Sequence, residues 1–304
     1  MLRQKQALPM TLVPSLTRAR PLRTVRPASG ALILAVVVIH SALTALFFAP
    51  DFQMFVSRPM TEATAGVATH VLVTNALEFA VLIAGCMVVV GGLRLGDLGL
   101  HRRGIAVAVL ATLVIWGLTQ LVMHALSVVT NTPAILNPVW MYPMASEAIG
   151  RPLPGLFIAA GVEEVMYRGF LLPQLYYHAR GWGLRGSGRR LFVALCISQL
   201  LFGVNHIPAG IAAELSAGEI ASYVTMAALV GVFFSVLYLR TANLWLVIGL
   251  HAVLNQPLSF YLSPLDPSLV VLILGLLLTL AIPFLRRVLP PSTPSSPPAS
   301  PPTG

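Results

Sequence analysis

The chain has 304 residues, of which 57% are apolar and only 10% charged, against about 25% charged in a typical soluble domain. With a mean hydropathy of +0.84, this composition excludes a water-soluble globular protein and indicates a polytopic membrane protein. The net charge of +9 does not mark a nucleic-acid partner, because the arginines sit at the ends of apolar runs rather than on one amphipathic face and so read as topology determinants.

In chain order, residues 1–30 form a basic arm with Arg3, Lys5, Arg18, Arg20, Arg23 and Arg26 and no acidic residue. The apolar run 31–49 behind it is too long for a cleavable signal peptide, and FFAPDFQMF lacks an A-x-A-like exit, so it reads as a first transmembrane helix. An organellar transit peptide is the lesser alternative for residues 1–28. At about 20 apolar residues per span, helices are expected near 31–49, 70–93, 104–128, 153–177, 190–207, 220–239, 243–262 and 268–285. The expected fold class is all-α, a polytopic membrane protein with about eight transmembrane helices. Basic residues alternate between heavy and light loops, with Arg94, Arg102 and Arg103, then Arg180, Arg185, Arg189 and Arg190, then Arg240, then Arg286 and Arg287 all on the side of the arm. Both termini are therefore expected in the cytoplasm. Arg185, Arg189 and Arg190 also suit phospholipid headgroups, which makes membrane lipids the first expected partners.

Residues 31–130 thus hold the N-terminal transmembrane helices and 131–288 the region with the intramembrane charges, whose motif core lies at 150–260. Residues 131–150 are rich in proline and aromatics and read as a loop or an interfacial helix. Residues 289–304, LPPSTPSSPPASPPTG, read as a disordered Pro/Ser-rich tail. Cys86 and Cys196 lie in apolar runs and are too few for a disulfide framework.

The stretch GVEEVMYRGF, residues 161–170, places three charges in an apolar run. Each costs about 2.5–3.5 kcal/mol at mid-bilayer on the insertion scale, so all three must face protein or water. Glu164 and Arg168 are four apart in the favourable acid-before-base order and can neutralise one another. Glu163 points about 100° away and has no basic residue at helical spacing, so it is the free carboxylate. Two further spans carry polar pairs: Phe202 and His206 in LFGVNHIPAG, and His251 and Asn255, four apart, in GLHAVLNQP. A carboxylate and an imidazole, Glu163 and His206, can deprotonate a water while His251 and Asn255 donate hydrogen bonds to an oxyanion. Glu163, His206 and His251 also match a two-histidine, one-carboxylate zinc site. Ser198 and Cys196, on the span of His206, leave a nucleophilic route open.

These motifs, EEVMYR as E-E-x-x-x-R, FGVNH as F-x-x-x-H and HAVLN as H-x-x-x-N, resemble in order and spacing the CAAX protease and bacteriocin-processing (CPBP, or Abi) family, which includes the type II CAAX prenyl endopeptidases. The resemblance covers about residues 150–260. It implies an intramembrane endopeptidase with an eight-helix core in which Glu163 activates water with His206, His251 and Asn255 stabilise the oxyanion or bind metal, Glu164 and Arg168 support the site, and Phe202 lines the cavity. It implies either a zinc metalloprotease or a metal-free, glutamate-dependent one, acting on a membrane-associated peptide or lipidated protein. The nearly lysine-free, arginine-rich composition points to a GC-rich genome and a bacterial cytoplasmic membrane. The competing readings are a non-catalytic scaffold or bacteriocin immunity factor on the same fold, and a transporter, against which the absence of an internal repeat speaks. His40, Glu78, Gln120 and His124 read as inter-helix hydrogen bonders, Glu78 being the one expected to reach the cavity.

Overall fold

The computed structural model describes residues 16–132, 135–141, 152–263 and 265–288; the Pro/Ser-rich tail, most of the 142–151 connection and the first half of the basic arm lie outside them. The described chain is helical. Six helices are long and apolar enough to cross a membrane. They include α1 (Gly30–Phe47), α2 (His70–Val90) and α3 (Ile105–Val129), the last within Arg102–Val129. α4 (Pro152–Glu164) follows, then α5 (Ser187–Val204) and the short α6 (Ile207–Ala212), which together make the fourth of the six. α7 (Ala217–Thr241), α8 (Leu244–Asn255) and α9 (Pro267–Val288) complete the set, with α7 and the Pro267–Phe284 part of α9 the fifth and sixth.

The other two of the eight expected spans depart from simple apolar helices for reasons visible in their residues. α4 continues without a break through a π-helical turn, Val165–Leu171, into Leu172–His178, but Glu163, Glu164 and Arg168 lie inside it. α8 has only 12 residues, about 18 Å at 1.5 Å per residue against a hydrocarbon core of about 30 Å. It stops before Pro257, whose ring drives Gln256 out of the helical region (φ −148°, ψ 93°). The expected helix over 243–262 is therefore half helix and half extended chain. Residues 257–262 run antiparallel to 135–137, with a bridge between Leu136 and Tyr261 and Asn137 N–H donating to the Phe260 carbonyl at 2.8 Å. Gln120 and Trp116 of α3 satisfy this segment's remaining backbone: the Gln120 carboxamide oxygen accepts from Phe260 N–H at 2.8 Å, and the Trp116 indole donates to the Pro257 carbonyl at 2.9 Å. Gln120 thus bonds to an extended segment and not to another helix, and His124 packs its ring on Tyr261 at 5.3 Å.

Helix starts are capped by side chains that accept the free N-terminal N–H groups: Ser29 for α1, Thr69 for α2, Asn243 for α8, and a reciprocal Ser216/Glu219 box for α7. The described part of the basic arm is folded against the bundle, with Leu16, Ala19, Leu22 and Ala28 buried. Gln174 holds it by accepting from Ala28 N–H and donating to the Arg26 carbonyl, at 2.9 and 2.8 Å.

α4 and its continuation form the axis of the fold. Every residue from Glu164 to Tyr176 is buried, and α2, α5, α7 and α8 pack round it. The bundle faces outward with apolar side chains such as Leu34, Val107, Phe192 and Leu280, whereas Glu164, Arg168, Gln199, Ser235 and His251 lie at its centre. Only a protein whose exterior faces lipid benefits from this arrangement.

Candidate active site

Helical spacing splits the charges of α4 between two neighbourhoods. Glu164 and Arg168 point into the bundle and are both 0% exposed, joined Oε1 to guanidinium at 3.0 Å. The same Glu164 oxygen accepts from His251 Nδ1 at 2.7 Å, which tethers α8 to α4. Arg168 donates its second nitrogen to the Gln199 carboxamide at 3.1 Å and lies over the Phe202 ring at 4.3 Å, so the α5 wall carries both a polar and a cation–π partner for it. Gln199 in turn donates to Ser235 of α7 at 3.0 Å, and Ser235 donates to the Gly231 carbonyl. Gly231 is what lets α7 come so close: a Cβ there would stand 2.9 Å from the Arg168 guanidinium and closer still to the Gln199 oxygen. Buried polar groups bind one another because hydrocarbon offers no substitute.

Glu163 faces the other way. Its side chain is 28% exposed and lines a cavity of about 440 Å³ together with Phe202, His206, His251 and Asn255. The expected site residues thus converge on one space, with Glu164 and Arg168 directly beneath it. His251 sits between the glutamates, Nδ1 on Glu164 and Nε2 3.6 Å from Glu163, its ring stacked on Phe234 at 4.8 Å. Because a carboxylate can only accept, His251 Nδ1 carries a hydrogen, and its Nε2 is the atom presented to Glu163. His206 follows the end of α5. Its Nδ1 bonds to the Phe202 carbonyl at 2.8 Å, which fixes the hydrogen on Nδ1 and leaves Nε2 as the reactive nitrogen. The rings of Phe202 and Tyr223 meet this imidazole edge-on at 4.8 and 5.4 Å.

Glu163, His206 and His251 share the cavity but do not close on a metal: among the described residues no three His, Cys, Asp or Glu side chains form a metal-holding group. The nucleophilic route has no resident either. Ser198 is 0% exposed and donates to the Tyr167 carbonyl, Cys196 is on the exposed outer face of α5, and no serine or cysteine is among the described residues lining the cavity.

Glu78 does line the cavity, and His40 stands beside it on α1, the ring nitrogen 3.2 Å from the carboxylate. Sequence reasoning missed four residues, Tyr167, Gln199, Asn205 and Ser235. Tyr167 lines the cavity with its hydroxyl on the Asn205 carboxamide. Spacing held a signal for two of them: Tyr167 is four after Glu163, and Gln199 is three before Phe202 and seven before His206, each on the face of a residue already singled out. Ser235 carried none.

A family model described as Rce1-like, type II CAAX prenyl endopeptidase, matches residues 146–256, the stretch that runs from α4 to α8 and holds all seven motif residues. The match, over about a third of the chain, supports a CPBP-family member. No curated protein and no solved structure matches the chain. The apolar helices together with this match indicate an integral multi-pass membrane protein, and the matched family is one of peptidases.

Proposed function

We propose that the protein is an intramembrane endopeptidase that cleaves a membrane-associated or CAAX-like peptide with water activated by Glu163. One observation carries this reading: of the two adjacent glutamates, one is locked by arginine and histidine while the other is left facing a water-accessible cavity beside two imidazoles. A locked carboxylate positions; a free one can take a proton.

In the proposed reaction Glu163 removes a proton from water, and the oxygen attacks the peptide carbonyl carbon. His206 Nε2 assists this deprotonation, and the Asn255 carboxamide donates a hydrogen bond to the resulting oxyanion, as does His251 in its imidazolium form, which carries a hydrogen on Nε2 as well as on Nδ1. The carbon–nitrogen bond then breaks as the proton held by Glu163 passes to the leaving nitrogen, giving a carboxylate and an amine. Glu164 and Arg168 hold His251 in place, and Phe202 forms the cavity wall. Among the described residues the zinc alternative lacks a converging ligand set.

The 152–178 helix and α8 complete an eight-span bundle with both termini in the cytoplasm, placed in a bacterial cytoplasmic membrane and bound by its lipids. Cavity residues then come from the ends that share one side: the C-terminal ends of α1, α5 and α8 and the N-terminal ends of α2 and α7. That side is opposite the arginine-rich loops, so the cavity opens away from the cytoplasm. A membrane-impermeant maleimide is expected to label Glu214→Cys in intact cells and Arg185→Cys only after permeabilisation; the reverse pattern would overturn the orientation.

Proteolysis itself is tested by profiling peptide ends of the membrane proteome in cells carrying wild type or His206→Ala at matched levels. Ends that vanish in the variant are the expected result; identical profiles with a retained phenotype would favour a scaffold or immunity factor.

A further inference from the structure

Across the cavity from Glu163 stands a second acid–imidazole pair that lies outside the family-matched stretch. Glu78 of α2 and His40 of α1 have side chains only 7% and 5% exposed, with His40 Nδ1 3.2 Å from Glu78 Oε1. The two do not hydrogen-bond, and His40 Nδ1 has no hydrogen-bond partner among the described residues. Thr44, one helical turn after His40, donates to the same oxygen at 3.4 Å, and the His40 ring meets Tyr167 edge-on at 5.6 Å. A carboxylate inside a span is costly unless it serves a partner, and Glu78 has within the described protein only one imidazole and one long hydroxyl contact. Among the described residues no lysine or arginine pairs with it as Arg168 pairs with Glu164. The described lining of the cavity contains two carboxylates, Glu78 and Glu163, and no lysine or arginine. With low-dielectric walls, such a space favours cations.

We propose that Glu78, set by His40 and Thr44, is the specificity-determining anion of this cavity and receives a positively charged nitrogen of the substrate, a lysine or arginine side chain or a free amino terminus. The proposal rests on the endopeptidase reading for its substrate, yet it concerns binding and can be measured without turnover.

The test uses full-length protein in lipid nanodiscs carrying Glu163→Gln, which removes the other carboxylate, and fluorescent apolar peptides that differ only in a single Lys, Gln or Glu, each with a free or acetylated amino terminus. Binding is read by anisotropy against empty nanodiscs. The Lys peptide is expected to bind about tenfold more tightly than the Gln peptide, in the range of one charge-assisted hydrogen bond. Adding Glu78→Gln should bring that ratio close to one, Glu78→Asp should keep most of it, and Glu78→Lys should shift preference to the Glu peptide. A preference confined to free amino termini would identify the terminus as the cation, and one unaffected by acetylation the side chain. A Lys:Gln ratio of one in the Glu78-containing protein, or a ratio unchanged by Glu78→Gln, would overturn the proposal. Wild-type protein that binds these peptides and hydrolyses none of them would instead count against the endopeptidase reading and leave the role of Glu78 standing.

Discussion

Arg168→Ala is expected to destabilise the protein by about 3–5 kcal/mol, the cost of leaving a buried charge unpaired, and to lower the melting temperature in detergent by roughly 10 °C. Both members of the Glu164–Arg168 pair are fully buried, so water cannot replace the lost guanidinium. The substitution also removes the donor to Gln199 and the cation above Phe202, loosening α5 from α4. Activity should fall as well, because Glu164 orients His251 through Nδ1. Arg168→Lys should recover little, since a single ammonium cannot hold Glu164 and Gln199 at once while lying flat on a phenyl face. Thermal unfolding followed by tryptophan fluorescence checks the magnitude. A shift below about 2 °C would mean that the Glu164–Arg168 pair contributes little to the fold.

Glu163→Gln should have the opposite profile: near-native stability and a loss of about 10²–10⁴-fold in turnover, the range that general-base catalysis contributes. Glu163 is the partly exposed member, and its one ion-pair partner, His251, is 3.6 Å away, beyond hydrogen-bond range. Little of the fold depends on it. The amide keeps the shape and loses the ability to take a proton. Unchanged melting with abolished cleavage would separate catalysis from structure within one pair of neighbouring residues.

That separation was legible in the sequence. Glu164 and Arg168 are four apart, and Glu163 has no such partner, so the locked and the free carboxylate could be told apart from 3.6-residue geometry alone. His206, His251, Asn255 and Phe202 were legible as polar or aromatic residues at turn spacing within otherwise largely apolar spans. What spacing could not show is pairing between helices. The contact of His251 with both glutamates depends on how α8 docks on α4, and the meeting of His40 with Glu78 depends on the packing of α1 against α2. The end of α8 was misread because apolar composition runs on to residue 262, while Pro257 breaks the helix and Gln120 with Trp116 supplies hydrogen bonds that make extended chain tolerable there. Periodicity reports which residues prefer a nonpolar environment, and a buried extended segment satisfies that preference as well as a helix does.

The most direct test of the central claim is cleavage of a peptide identified by terminal profiling, measured with purified protein in nanodiscs in the presence of a strong zinc chelator. The account predicts that wild type cleaves it at an undiminished rate and that Glu163→Gln, folded to the same melting temperature, does not. Cleavage that persists in Glu163→Gln, or that stops when chelator is added, would contradict water activation by this glutamate alone.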